Sequence, residues 1–205
     1  MKVLCVGRNY AKHARELGNA PPPSPIWFWK PDSAIIKDGQ AIHAPAGLGP
    51  VHHEVELAVR IGRKLRHANA EEALRAIDGV TVANDVTARD LQEAAKKAGL
   101  PWAQAKGYDT FLPMGEWQPV GGRDLQDLRL RLTVDGQVRQ DGTTADMTWG
   151  VGPLLQHAST WTTLMPGDIL LSGTPDGVGP MPPGSTVVAE LVGIARVANP
   201  VKAVA

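Results

Sequence analysis

Between His53 and Ile61 the chain alternates with the two-residue period of a β-strand. Val55, Leu57, Val59 and Ile61 share one face, and Glu54 and Glu56 share the other. The run Val80-Thr81-Val82-Ala83-Asn84-Asp85 predicts a second strand over 79–84 that ends at Asp85. Shorter apolar runs predict strands over Val3–Val6, Ile26–Trp29, Ser33–Ile36 and Asp168–Ser172. Helical spacing marks Asn9–Leu17, closed by Gly18, and then Asn69–Ile77, Ala88–Lys97 and Gly150–Ser159. The helix over Ala88–Lys97 has Thr87 as its candidate N-cap, with Asp90 three places on, and Gly99 and Pro101 stop it. Leu128–Val134 and Gln137–Arg139 flank Asp135-Gly136, a strong two-residue hairpin signal. Thr186–Val192 and Ile194–Ala198 predict a terminal hairpin, while Ala20-Pro21-Pro22-Pro23-Ser24-Pro25 must be loop, since proline lacks the backbone donor.

Short strands without regular helical crossovers predict a β-rich α+β domain and argue against a Rossmann-like sheet. The 22 glycines and 17 prolines suit tight turns between such strands, and 205 residues are ample for one domain, expected to span residues 1–205. Hydrophobic residues at 43% and charged residues at 20% describe a folded, soluble chain. The 21 basic and 21 acidic residues cancel, and no basic, aromatic-laced stripe is present, so nucleic acid is not an expected partner. No apolar run is long enough for a membrane span, and the run from Met1 to Gly7 is too short for a signal peptide. The single cysteine, Cys5, has no internal partner and reads as a small core residue, which fits a reduced cytoplasm.

The candidate chemistry centres on Glu54, Glu56 and Asp85. Carboxylates projecting from rigid strands can converge on a hard divalent cation such as Mg²⁺; two glutamates on a strand face also fit a plain solvated surface. Arg89 and Gln92 share a face of the following helix, as substrate contacts or as ordinary surface residues. Lys106 has glycine beside it and can balance the carboxylates or polarise an oxygen; alternatively it is a loop lysine. The loop Ser172-Gly173-Thr174-Pro175-Asp176-Gly177-Val178-Gly179 follows a strand and can cradle a carboxylate with Thr174 and backbone N–H groups; it is no phosphate loop. His13 and Glu16, three apart on the first helix, form a histidine–carboxylate pair able to activate water, or a solvated helix face. His53 reads as structural. Trp27, Trp29 and Trp102 can shape a distal pocket or pack a core.

In this order the segments Gly7-Arg8-Asn9-Tyr10-Ala11-Lys12-His13, Lys30-Pro31, His53-Glu54-Val55-Glu56-Leu57, Asp85-Val86-Thr87-Ala88-Arg89-Asp90-Leu91-Gln92, Lys106-Gly107-Tyr108-Asp109, Thr144-Ala145-Asp146-Met147 and Gly173-Thr174-Pro175-Asp176-Gly177-Val178-Gly179 resemble the fumarylacetoacetate hydrolase family nearly end to end. The resemblance implies a mixed β-roll, a homodimer, and Mg²⁺ or Mn²⁺ on Glu54, Glu56 and Asp85. It implies Arg89, Gln92, Lys106 and Thr174 as substrate contacts, Lys30 as a further one, and His13 with Glu16 as a pair carried on a lid. The chain resembles a short, single-domain member without the extra N-terminal domain of the larger ones. Family members act on β-diketo acids and related 2-oxo acids. The expected reaction is therefore hydrolysis of an acylpyruvate- or fumarylpyruvate-like C–C bond, with His13 taking a proton from water and Lys106 stabilising a pyruvate enolate. Oxaloacetate decarboxylation or tautomerisation, isomerase and decarboxylase work in aromatic catabolism, and an inactive metal-binding homologue are the alternatives.

Overall fold

The computed structural model describes residues 1–16, 18, 20 and 22–205. It is built on two five-stranded mixed sheets. The first runs, edge to edge, Ile26–Lys30, Val3–Gly7, Ile169–Leu171, Val55–Ile61, Ile77–Asn84. All of its pairings are antiparallel except that of Val3–Gly7 with Ile169–Leu171. The second runs Gln137–Thr143, Arg129–Val134, Thr186–Leu191, Ala195–Val204, Ile42–Pro45. The Asp135-Gly136 hairpin forms as predicted, with φ of 50° and 76° at its two turn residues.

The two faces of the first sheet do different jobs. Leu4, Val6, Val55, Leu57, Val59, Ile61, Val80 and Val82 belong to the main core, together with Leu130, Leu132, Val187 and Leu191 of the second sheet and Leu154 and Leu155 of the helix Val151–Trp161. A smaller cluster of Val3, Cys5, Ala58, Ala83, Ile169 and Leu171 packs with Ala34, Leu112 and Met114. Cys5 lies inside this cluster, fully buried, as the small core residue expected.

Several elements depart from the sequence expectation for tertiary reasons. Ser33–Ile36 starts as a single 3₁₀ turn, Asp32–Ala34, and only Ile35–Ile36 is extended, paired with Leu112–Pro113. Thr87 is not an N-cap. It pairs as strand with His52, its Oγ1 donates to the Asp85 carbonyl at 2.9 Å, and the helix Arg89–Ala98 begins after Ala88 with no side-chain cap. Long-range strand pairing overrode a local capping signal here. The helix predicted over Asn69–Ile77 is the shorter Ala70–Arg75, closed by a reciprocal Asn69–Glu72 capping box, and Ile77 opens a strand. The first helix is Ala11–Glu16; Leu17, where its predicted end fell, lies outside the described residues, as does Pro21 of the proline-rich loop.

Candidate active site

The alternating strand is interrupted at Glu54, between Val51–His53 and Val55–Ile61. The Glu54 N–H is taken by the Asn84 side chain at 2.9 Å, and its carbonyl accepts from the Asp85 N–H at 2.8 Å. Val55 then pairs with Asn84, and Glu56 with Ala83. This register sets Glu54, Glu56 and Asp85 on neighbouring strands with one oxygen from each lying within 4.8 Å of the others. All three are buried, Glu56 to 1% exposure and Asp85 to 0%, so the solvated-face reading of the glutamates does not hold.

Three cations pair with two of them, Glu54 and Asp85. Arg89 Nη2 lies 2.5 Å from Glu54 Oε1, and Lys106 Nζ lies 2.9 Å from Glu54 Oε2 and 2.5 Å from Asp85 Oδ2. Lys30 reaches Asp85 Oδ1 at 2.7 Å from the far side. Burial by itself raises the Glu54 carboxyl, but Lys106 and Arg89 outweigh it and hold the group well below the usual range. Burial and the neighbouring Asp85 push Glu56 well up. Burial opposes the charge on Lys106, yet Asp85 and Glu54 more than compensate and raise it, so its ammonium stays protonated.

The donor set suits a hard cation. It is made of carboxylate oxygens alone, it comes from rigid strands, and Asp85 Oδ1 has a charge nearby but no aligned hydrogen-bond donor. Glu56 Oε2 is oriented by the Gly173 N–H at 2.7 Å. Gly173 itself has φ +89°, and a Cβ there would come within 2.8 Å of Asn9 Cβ, so a side chain would spoil this donor.

His13, Arg89, Gln92, Lys106 and Thr174 line one narrow cleft with the three carboxylates, and so do Arg8, Lys96, Phe28 and Trp102. The His13 Nδ1 is 3.3 Å from Glu16 Oε2, and Glu16 is itself gripped by the Gly177 N–H at 3.0 Å from Oε1. Burial lowers the His13 pKa below its ordinary value against the opposing pull of Glu54 and Glu16, which favours the neutral ring. With Nδ1–H donating to Glu16, Nε2 is left with a free lone pair. Arg89 also donates from Nη1 to Gln92 Oε1 at 2.6 Å. Thr174 Oγ1 accepts from Gln140 Nε2 at 2.8 Å.

Lys30 is the one proposed contact placed elsewhere. Its side chain is 0% exposed and lies behind Asp85, and its Nζ donates to the carbonyls of Lys106 at 2.6 Å and Val86 at 3.0 Å. It does not line the cleft; it positions Asp85 and the backbone that carries Lys106. Trp27 and Trp29 also lie away from the cleft, grouped with Trp161, and only Trp102 reaches it. His53 is buried and bonded through Nδ1 to Gln140 Oε1 at 2.9 Å, a structural role as expected.

Gln140 was missed by the sequence reading. It accepts from the Val55 N–H at 3.0 Å and donates to Thr174 Oγ1 and the Pro175 carbonyl, so it ties the glutamate strand to the glycine-rich loop. Its strand carries a register shift that turns this position inward, and no local sequence signal announces it. Arg8 and Lys96 were missed as well. Nothing in their spacing separates them from surface cations.

The chain is similar to known proteins over nearly its whole length. The chain is 48% identical over 197 residues to a mitochondrial oxaloacetate tautomerase of Arabidopsis thaliana, covering 96% of this chain and 88% of that one. It is 43% identical over 195 residues to a mitochondrial oxaloacetate decarboxylase of Dictyostelium discoideum, covering 94% and 89%. Among solved structures, a fumarylpyruvate hydrolase from Pseudomonas aeruginosa in complex with Mn²⁺ and pyruvate superposes with a TM-score of 0.95 at 32% identity, covering 100% of this chain and 90% of that one. Residues 2–202 match the family described as fumarylacetoacetate (FAA) hydrolase C-terminal, and the chain belongs to that family.

Proposed function

We propose that the protein is a divalent-metal-dependent keto–enol tautomerase of oxaloacetate. The observation that carries this reading is His13, a buried histidine kept neutral, held through Nδ1 by Glu16 and lining the same cleft as the three carboxylates and Lys106. Mg²⁺ or Mn²⁺ on Glu54, Glu56 and Asp85 would supply Lewis-acid polarisation of the 2-oxo group when bound. The residues of the chain do the rest. Arg89 and Gln92, already hydrogen-bonded to each other, and Thr174 orient the carboxylate beside the reacting carbonyl. His13 Nε2 removes the C3 proton as enol forms and returns it on ketonisation, with Glu16 steadying the imidazolium that exists in between. The Lys106 ammonium adds positive charge where the enolate oxygen develops. The proton on the C2 oxygen exchanges with water as ligand enters and leaves.

Tautomerisation asks less of the cleft than C–C hydrolysis, because no water has to be seated between the histidine and a distal carbonyl. The names of two relatives at 48% identity, both oxaloacetate tautomerases, lean the same way. Acylpyruvate hydrolysis is the second reading, supported by the His13–Glu16 pair as a water-activating unit and by the likeness to the fumarylpyruvate hydrolase.

The test follows the ultraviolet absorbance of enol-oxaloacetate with purified protein in Mg²⁺ and then in EDTA, with pyruvate release from oxaloacetate and acetylpyruvate measured in parallel. Chelator-sensitive loss of the enol without matching pyruvate supports the tautomerase. Pyruvate from acetylpyruvate with no acceleration of ketonisation would replace it with the hydrolase.

A further inference from the structure

Arg8 and Lys96 are the two charged residues of the cleft that the chemistry above leaves idle. The cleft's other cations are committed: Arg89 to Glu54, and Lys106 to Glu54 and Asp85. Lys30 is likewise taken by Asp85, so Arg8 and Lys96 are the two cations of the cleft outside these ion pairs. Among the described residues the Arg8 guanidinium has no ion-pair or hydrogen-bond partner, and its Nε is buried without one. Lys96 has no carboxylate either; its Nζ stands 5.7 Å from the centroid of the Trp102 ring. Burial and the charges of Arg89 and Arg8 lower the Lys96 ammonium to about 8. Partly dehydrated like charges gathered without a counter-ion are unfavourable in the free protein, and an anion seated between them relieves both the repulsion and the missing hydrogen bonds.

The backbone fixes this position firmly. Arg8 has φ +58°, a left-handed conformation that a residue with a side chain rarely adopts. On one side Gly7 packs so tightly that a Cβ would come within 2.9 Å of the Trp102 ring. On the other, Asn9 donates to the Trp149 carbonyl at 2.9 Å and the Ser172 carbonyl at 2.8 Å and accepts from the Trp149 N–H at 2.9 Å. Strain of this kind persists where the surroundings over-determine it, and it gathers at ligand clamps.

We infer that Arg8 and Lys96 form a distal carboxylate subsite, so that the cleft selects 2-oxo acids bearing a second carboxylate over monocarboxylic ones. Arg8 offers a planar fork to that carboxylate, Lys96 adds a second charge, and Trp102 supports the lysine. The inference rests on the 2-oxo acid reading of the site and names the residues that choose among such acids.

Lactate and malate test it, since they share a 2-hydroxy carboxylate and differ in the second carboxylate. Calorimetric titration of the Mg²⁺-loaded protein is expected to show malate binding at least about ten-fold tighter than lactate, the scale of one charge-assisted hydrogen bond. Arg8→Gln and Lys96→Gln should each remove most of that advantage and leave lactate affinity unchanged, and Arg8→Lys should keep part of it. In turnover the same variants should raise KM for oxaloacetate more than they lower kcat. Lys96, on a partly exposed helix face, keeps the test open if Arg8→Gln fails to fold. Equal affinities for malate and lactate in the unmodified protein, or a malate advantage that survives both variants, would overturn the subsite. A malate advantage lost in the variants, in a protein that accelerates no enolisation, would uphold the subsite and remove the tautomerase reading.

Discussion

The inner and outer ends of the cleft are built on opposite plans. At the inner end every ligand-bearing residue is buried and hangs from a strand or the bend between two: Arg89, Lys106 and Lys30 pair with Glu54 and Asp85 at 2.5–2.9 Å, and Glu56 accepts from the Gly173 N–H. At the outer end His13 and Glu16 ride on a helix of six residues, held to the body through Glu16 and the Gly177 N–H, while Arg8 and Lys96 have no carboxylate partner among the described residues. The inner end is therefore pre-organised for a cation, and under the proposed function the outer end is where substrate and reaction would be chosen. Similar proteins are named for tautomerisation, decarboxylation and hydrolysis, and under the proposed function one inner end would serve all three while the outer end would separate them.

The sharpest way to break the comparison is to remove an inner carboxylate. Glu56→Ala should weaken Mn²⁺ binding by more than about 100-fold, beyond what loss of an outer-shell partner costs, and drop turnover to the buffer background. Calorimetry with Mn²⁺ reads the first effect; saturable binding of unchanged affinity would show that the metal sits elsewhere. At the outer end, His13→Asn should lower the rate of enolisation by about 10²–10⁴, the usual worth of a positioned acid–base group, and leave the Mn²⁺ affinity where it was. Parallel loss of metal and rate in that variant would mean that the two ends are one unit.

Lys30 tests how far the inner end depends on charge balance. Its Nζ is enclosed, donates to two carbonyls and lies 2.7 Å from Asp85 Oδ1, so its charge faces Asp85 while two of its three donors are held by backbone. Lys30→Met should leave Asp85 with Lys106 as its one counter-ion and the Lys106 and Val86 carbonyls without their donor, and cost about 3–5 kcal/mol of stability, measured by urea unfolding without metal. Saturating Mg²⁺ should restore part of the loss, because it supplies the missing positive charge. A loss unaffected by Mg²⁺ would place the role of Lys30 in packing alone.

The same division explains what could be seen in the sequence. Glu54, Glu56 and Asp85 were legible because strand periodicity and an apolar run ending in Asp85 are local signals, and local signals also placed the Asp135-Gly136 turn. Their burial was not legible, since it comes from the layers that cover the sheet. Lys30 was expected as a substrate contact from the family resemblance of Lys30-Pro31; its pairing with Val3 and its contact with Asp85 place it behind that carboxylate. Thr87 looked like a cap until His52 claimed it as a strand partner. Gln140 and Arg8 depend on a register shift and a left-handed turn, neither of which leaves a trace in residue type.

The smallest effect belongs to the join between the two ends. Glu16 accepts from the Gly177 N–H and holds the His13 ring, so Glu16→Gln keeps an acceptor in place and removes its charge. The rate of enolisation should fall only about ten-fold, the scale of one charge-assisted hydrogen bond, with metal affinity unchanged. The pH profile then supplies the sign. Burial sets His13 below its ordinary value of 6.5, so activity that needs a neutral ring should hold through pH 6.5 and fall as pH drops through the lowered value. For the same reason folding stability should decline as pH falls from 6.5 toward that value, because the unfolded chain binds the proton more readily. The Glu16 charge works against burial by raising the His13 pKa, so its removal should move the acid limb to still lower pH. A limb that stays put, or moves up, would show that Glu16 braces the helix through Gly177 without tuning the histidine.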